Sequence, residues 1–238
     1  MFHKELNHPI FQIVSEESQK LGFQTFVVGG FVRDIFLKRT SKDVDFVTVG
    51  SGIELATAVR KRLKKAHLSV FKNFGTAQLK TDDWEFEFVG ARKESYDRNS
   101  RKPKVEDGTF EDDIYRRDFT INALAISLNA PKYGELIDLF GGMEDLKKGL
   151  IRTPLDPKIT FSDDPLRMMR AARFATQLNF TLVPETLEAL KTEAHRLSII
   201  SQERITDELQ KIIKSAKPSI GFTLLFDTKL LHLFFPEM

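Results

Sequence analysis

Apolar residues recur near helical spacing at Ile10, Ile13, Val14 and Leu21, which predicts an amphipathic helix over 7–22. Thr25–Val28 is a short apolar run ending in Gly29-Gly30, the pattern of a buried strand entering a tight turn. A helical pattern restarts at Phe31–Leu37. Asp43–Val49 alternates and is rich in β-formers, so it predicts a strand, and Ile53–Lys65 predicts a helix with a lysine-rich polar face. Further strands are expected at Val70–Phe74, Ala77–Leu79 and Trp84–Val89. Ala123–Leu128 is placed to pair with Glu135–Leu139 across the Asn129–Gly134 connection. Strands joined by such short turns form a mixed or antiparallel sheet, which makes the class α+β rather than a doubly wound parallel fold.

Beyond about residue 150 the strand signals stop. Pro165–Gln177, Pro184–His195, Gln202–Ser215 and Ser219–Leu230 all carry helical patterns. The chain is therefore expected to divide into an α+β domain over 1–150 and an all-α domain over 151–238.

Composition narrows this picture only slightly. The 238 residues are 41% apolar and 29% charged, ordinary for a globular chain. No run approaches the roughly 18 apolar residues of a membrane span, and the start, MFHKELNHPIF, lacks the layout of a signal peptide. The absence of cysteine fits a reducing cytoplasm and excludes thiolate metal sites. Net charge is only +2, but its distribution is uneven: Arg92–Lys104 (RKESYDRNSRKPK) is strongly basic and Glu106–Asp113 acidic. A local basic patch can hold phosphates, and it can equally be a solvated loop.

Two features carry chemistry. Asp43 and Asp45 stand two apart on an expected strand, so both carboxylates project from one face while Val44 points to the other. Two neighbouring carboxylates call for a cation between them, and Mg²⁺ suits oxygen ligands shared with substrate phosphates. Alone, an Asp-x-Asp spacing is common on solvated surfaces. Just upstream, Gly29-Gly30 lets backbone approach a phosphate, the following helix offers free N–H groups, and Arg33 adds a cation. The plainer alternative is a strand-to-helix turn with Arg33 paired to Asp34.

Taken together these runs resemble a known pattern. Val27–Phe46, VVGGFVRDIFLKRTSKDVDF, is similar to the Gly-Gly-x-Val-Arg-Asp … Asp-x-Asp signature of the class II tRNA nucleotidyltransferase / poly(A) polymerase family. RRDFTINA at Arg116–Ala123 resembles the family's second motif, and GGMEDLKKGLIR at Gly141–Arg152 its passage from head to neck. DDPLRMMRAARF at Asp163–Phe174 resembles its nucleotide-selecting helix, and ERITDE at Glu203–Glu208 its neck helix.

The resemblance implies a polymerase-β-like nucleotidyltransferase head followed by an all-α neck. It implies an enzyme that adds CCA to the 3′ end of tRNA from CTP and ATP without a template, releasing pyrophosphate. Asp43 and Asp45 would be the catalytic pair and hold two Mg²⁺ ions. Gly29, Gly30, Arg33 and Arg117 would bind triphosphate and ribose, Asp118 and Asn122 would touch sugar or brace the site, and Glu85 or Glu87 would supply a third carboxylate. Rival readings are a poly(A) polymerase, an enzyme adding only CC or only A, and a non-catalytic RNA-binding relative.

Base selection is assigned to the stretch after Asp163. Pro165 belongs in a first helical turn, so Asp164 lies at or beside a helix N-terminus and Arg167 is its neighbour three residues on. An acceptor beside a donor matches the Watson–Crick edges of cytosine and adenine and opposes those of guanine and uracil. Arg170 and Arg173 continue the spacing and match nucleotide-binding residues of the family, although Arg173 points nearly opposite Asp164. The plainer alternative is an amphipathic helix with exposed arginines and a Leu166/Met169/Phe174 core face.

The basic loop falls where the family carries a flexible loop that helps switch from C to A addition, with Arg92, Glu94 and Tyr96 in similar places. The histidines, at positions 3, 8, 67, 195 and 232, have no metal-ligand spacing and read as surface or packing residues. The end at Phe234–Met238 resembles mid-neck, which raises the expectation of a fragment or of a partner-dependent protein.

Overall fold

The computed structural model describes residues 2, 5–63, 65–95 and 104–235. Most of the basic loop, including Tyr96, together with His3 and the last residues from Pro236, lies outside the described residues. In chain order the first elements are α1 (Pro9–Leu21), β1 (Gln24–Val28), α2 (Gly30–Phe36), β2 (Asp43–Val49) and α3 (Gly52–Arg62). There follow β3 (His67–Phe71), β4 (Thr76–Lys80), β5 (Glu85–Gly90), β6 (Arg92–Ser95), β7 (Lys104–Asp107), α4 (Phe110–Tyr115), β8 (Ala125–Ser127) and β9 (Leu136–Ile137). The remainder is α5 (Gly142–Lys148), β10 (Leu150–Ile151), α6 (Pro157–Asp163), α7 (Leu166–Leu178), β11 (Thr181–Leu182), α8 (Pro184–Glu193), α9 (Gln202–Ile213) and α10 (Pro218–Asp227).

The chain forms two compact units that interleave along the sequence: Met1–Lys93, Val105–Tyr115 and Ile121–Met143 make the first, and Glu94–Lys104, Arg116–Thr120 and Glu144–Met238 the second. Among the described residues no helix is long and apolar enough to cross a membrane.

In the first unit a seven-stranded sheet runs β3-β4-β5-β2-β1-β8-β9. It is mixed, because β2 and β5 pair in parallel while their other neighbours pair antiparallel. The parallel pair is what the chain gains by spending α3 and the β3–β4 hairpin between the two strands. Val44 and Phe46 of β2 and Phe86 and Phe88 of β5 are buried, and the ring of Phe11 on α1 meets Phe46 at 6.0 Å. Alternation therefore turns Asp43, Asp45 and Val47 to the opposite face. There Val47 joins Phe26, Val28, Phe110 and Ile114 in a second apolar cluster, with the rings of Phe26 and Phe110 stacked at 3.9 Å.

Local signals explain the element ends. His8 caps α1, its Nδ1 accepting the Ile10 N–H at 3.2 Å while its ring lies 4.7 Å from that of Trp84. Ser51 caps α3 by accepting the Glu54 N–H. The strand expected through Phe74 ends at Phe71, because Lys72–Phe74 form a tight 3-10 turn closed by Gly75 at φ 64°.

The second unit is helical, with two short strands, β10 and β11, pairing in parallel where none was expected beyond residue 150. Each has two residues, too short to carry an alternating pattern. The helices expected at Pro165, Pro184, Gln202 and Ser219 are α7 to α10. α7 buries Met168, Met169, Ala171, Ala172 and Ala175. α10 approaches α7 and α9 closely at Gly221, where an added Cβ would come within 2.6 Å of Ile212 Cγ2.

Candidate active site

In the first unit Asp43 and Asp45 share one face of β2, and Val28, the last residue of β1, lies directly opposite Asp45. The glycine turn therefore begins one residue beyond the partner of Asp45. Gly29 adopts φ 75°, ψ −134°, a region nearly restricted to glycine. Its N–H donates to Leu124 O at 3.1 Å and its carbonyl accepts the Arg33 N–H, so strand, turn and α2 are locked in sequence.

Arg33 is 8% exposed. Its Nε and Nη2 both lie 2.9 Å from Asp34 Oδ1, and its Nη1 donates to Asn122 Oδ1 at 2.7 Å. The pairing with Asp34 is the plainer alternative weighed from sequence, and it is present. The link to Asn122 is additional: it ties α2 to the motif that contains Asn122, and the buried guanidinium is held from both sides.

The parallel register sets Glu85 beside Asp43 and Glu87 beside Asp45, so four carboxylates line this face of β2 and β5. Glu85 is engaged by Lys80 and by Gln78 Nε2 at 3.4 Å. Burial pushes the Glu87 carboxyl up, and the Asp45 charge pushes it further, against a smaller opposing effect of Arg92. Crowded negative charge of this kind fits a hard cation. Among the described residues no three His, Asp or Glu groups close into a metal cage. The donor set is one that a divalent ion completes with phosphate oxygens, as Mg²⁺ commonly does.

The second unit holds the other sequence-predicted residues. Arg117 is half-buried in the segment 116–120. Its neighbour Arg116 pairs with the buried Glu94 at 3.3 Å. Asp118 is 7% exposed; its Oδ1 accepts the Phe119 N–H at 2.9 Å. Asp164 ends α6 in an extended conformation, and its Oδ1 accepts the Leu166 N–H at 3.2 Å, so it does sit at the start of α7. Arg167 donates to the carbonyls of Arg116 at 2.6 Å and Thr160 at 3.4 Å, and among the described residues it makes no ion pair with Asp164. Arg170 pairs with Asp118 and Arg173 with Glu208. The structure thus groups Gly29, Gly30, Arg33, Asp43 and Asp45 in one unit, and Arg117, Asp164, Arg167, Arg170 and Arg173 in the other.

A family model described as the poly A polymerase head domain matches residues 25–152, more than half of the chain. The chain belongs to the class II tRNA nucleotidyltransferase / poly(A) polymerase family. A second model of this family, the probable RNA and SrmB-binding site of polymerase A, matches residues 179–238. The A-adding tRNA nucleotidyltransferase of Aquifex aeolicus is 44% identical over 194 residues, covering 80% of this chain and 23% of that protein. The CCA-adding enzyme of Levilactobacillus brevis is 39% identical over 230 residues, covering 95% of this chain and 54% of that protein. A solved tRNA nucleotidyltransferase, complexed with a primer tRNA and an incoming ATP analog, superposes with a TM-score of 0.80 at 37% identity over 92% of this chain and 61% of that one. The chain thus spans about half the length of most of these family members, with the α+β head and helical neck they share.

Asn122, expected from its position in RRDFTINA to touch sugar or brace the site, accepts from Arg33 Nη1. Glu208 was read as part of a helix motif with no role of its own.

Proposed function

We propose that this chain is the head and neck portion of a tRNA nucleotidyltransferase that adds CCA to tRNA 3′ ends from CTP and ATP in the cytoplasm, with residues 1–150 for chemistry and 151–238 for nucleotide selection. The observation that carries the reading is Asp43 and Asp45 on one strand face, in register with the residue before the glycine turn.

Asp43 and Asp45 hold divalent metal, with magnesium the ion their oxygen donors suit, and Glu87 is the third carboxylate because Glu85 already serves Lys80 and Gln78. Bound there, magnesium would lower the pKa of the RNA 3′-hydroxyl and neutralise charge on the triphosphate. The backbone of Gly29 and Gly30 accepts close approach of phosphate, and Arg33 and Arg117 bind triphosphate and ribose. On the helical unit Asp164 accepts from the exocyclic amine of cytosine or adenine, Arg167 donates to the adjacent ring nitrogen, and Arg170 and Arg173 add positive charge further along α7. Guanine or uracil would leave polar groups unpaired, at about 1–3 kcal/mol each in a dry pocket.

Addition of A alone is a second reading, favoured by the 44% identity with the Aquifex A-adding protein. Both are tested by incubating the full-length protein with tRNA ending before CCA and with each triphosphate separately. Extension by C, C and then A supports the first reading; extension only of tRNA ending in CC, by one A, replaces it with the second. A long A-tract on unstructured RNA overturns both.

A further inference from the structure

The carboxylates of β2 have different neighbours on their two sides. On one side β1 pairs with β2 and leads into Gly29-Gly30; on the other, β5, β4 and β3 follow in that order to the sheet edge. Residues in register on neighbouring strands point to the same face, so the carboxylate face continues outward in rows. The row through Asp43 runs on through Glu85 and Lys80 to His67, and the row through Val47 ends at Phe71.

The opposite face of these outer strands is core, with Leu79 of β4 and Phe88 of β5 fully buried. The carboxylate face is open there. The side chains of Lys80 and Glu85 are 59% and 40% exposed, Phe71 is 46% exposed, and His67 is exposed as well. Past Phe71 the 3-10 turn presents Phe74, which at 70% is the most exposed large apolar side chain among the described residues. An open strip that starts at paired carboxylates and passes a lysine, an imidazole and bare aromatic rings has the chemistry of a nucleic-acid track. Cations face the backbone, and rings stack on bases whatever their identity. The ion pair of Lys80 with Glu85 is exposed and therefore weak, so Lys80 remains able to meet a phosphate.

We infer that the open face of β5, β4 and β3 is the bed for the RNA strand behind its 3′ end, with Lys80 and His67 toward the backbone and Phe71 and Phe74 stacking on bases. The inference rests on the proposed function and extends it from the reacting atoms to the path of the RNA. In-line displacement puts the attacking and leaving oxygens on opposite sides of the phosphorus. With the triphosphate on the glycine-turn side of β2, the 3′-hydroxyl comes from the β5 side. At about 4.8 Å per strand, Lys80 and His67 stand about 10 and 14 Å from Asp43, within reach of the phosphates just behind the terminal nucleotide.

The test uses the full-length protein with tRNA ending in CC as acceptor and ATP as donor, and compares wild type with variants of the two faces of the hairpin. The double variant Phe71→Ala/Phe74→Ala should raise the KM for tRNA about tenfold while moving the KM for ATP less than about twofold. Lys80→Gln should lessen the salt dependence of tRNA binding by about one phosphate contact, a slope change of about 0.7–0.9. Val70→Ala, on β3 but facing the other way, should leave both constants and the salt slope as in wild type. Both phenylalanines are exposed, so the double variant should melt close to wild type. An unchanged KM for tRNA in the double variant would overturn the inference, as would an unchanged salt slope in Lys80→Gln. A rise shared by Val70→Ala, or a KM for ATP that rises in step with that for tRNA, would trace the effect to a disturbed hairpin and overturn it too. Wild-type protein that extends no tRNA would instead remove the functional reading, and the inference with it.

Discussion

Asp45 and Glu87 lie directly opposite each other in the parallel pairing of β2 and β5, one alternation step from Asp43 and Glu85. The relationship turns an open choice between two glutamates into a prediction. Glu87→Gln should slow nucleotide incorporation about 10–100-fold and raise the metal concentration needed for half-maximal rate, whereas Glu85→Gln should change either by less than about threefold. Steady-state assays over a magnesium titration check both.

Replacing Asp43 or Asp45 with Ala is expected to abolish incorporation while leaving triphosphate binding largely intact, because in the proposed function the pair acts on the reacting phosphate while other groups hold the nucleotide. Removing like charges from one crowded strand face should leave the melting point unchanged or slightly higher. Incorporation at the wild-type rate in either variant would refute the metal assignment.

Asn122→Ala removes an acceptor of the buried Arg33 Nη1. Leaving part of a buried guanidinium unpaired should cost about 1–3 kcal/mol of stability, read in denaturant melts, and raise the KM for triphosphate more than it lowers kcat.

His8 predicts a pH signature. Burial lowers its pKa below the ordinary histidine value. Its unprotonated Nδ1 is the acceptor that caps α1. A depressed folded-state pKa means that stability is fully present above the unfolded value near 6.5 and is lost as pH falls through the lower folded value. At pH 8, His8→Ala should melt about 2–4 °C below wild type. The gap should narrow as the pH is brought to 5. A gap that stays constant would exclude the cap from the pH response.

Gly52→Ala tests the packing beneath the carboxylates. A Cβ at residue 52 would lie 2.8 Å from Phe88 O on β5, and backbone cannot swing aside as a side chain can. The expected loss is about 1–3 kcal/mol in a thermal or denaturant melt, with a reduced incorporation rate because β5 carries Glu87.

Much of this was legible in the chain. The strand at Asp43–Val49, the glycine turn, and the pairing of Ala125 with Ile137 follow from alternation and turn residues, which are local signals. Three things were hidden by distance or brevity. α6 has seven residues, about two helical turns, and β10 and β11 two each, too few for a periodic pattern to stand out. The parallel register that sets Glu87 beside Asp45 depends on how α3 and a hairpin fold back. Asn122, which accepts from Arg33, and Glu208, which pairs with Arg173, stand 89 and 35 residues away from them, and no spacing rule reaches so far. His8 was legible only as one of five scattered histidines, because a cap is visible only once the helix start is fixed.

The short segment Arg116–Thr120 is flanked on both sides by pieces of the first unit, yet it supplies the carbonyl that Arg167 uses and the carboxylate that Arg170 uses. A cut at residue 144 would therefore yield a helical piece without the Arg116 carbonyl that Arg167 uses and the Asp118 carboxylate that Arg170 uses. The two units share no single boundary along the sequence, so a variant that keeps α7 with Arg167 and Arg170 anchored as they are must keep Arg116–Thr120 along with it.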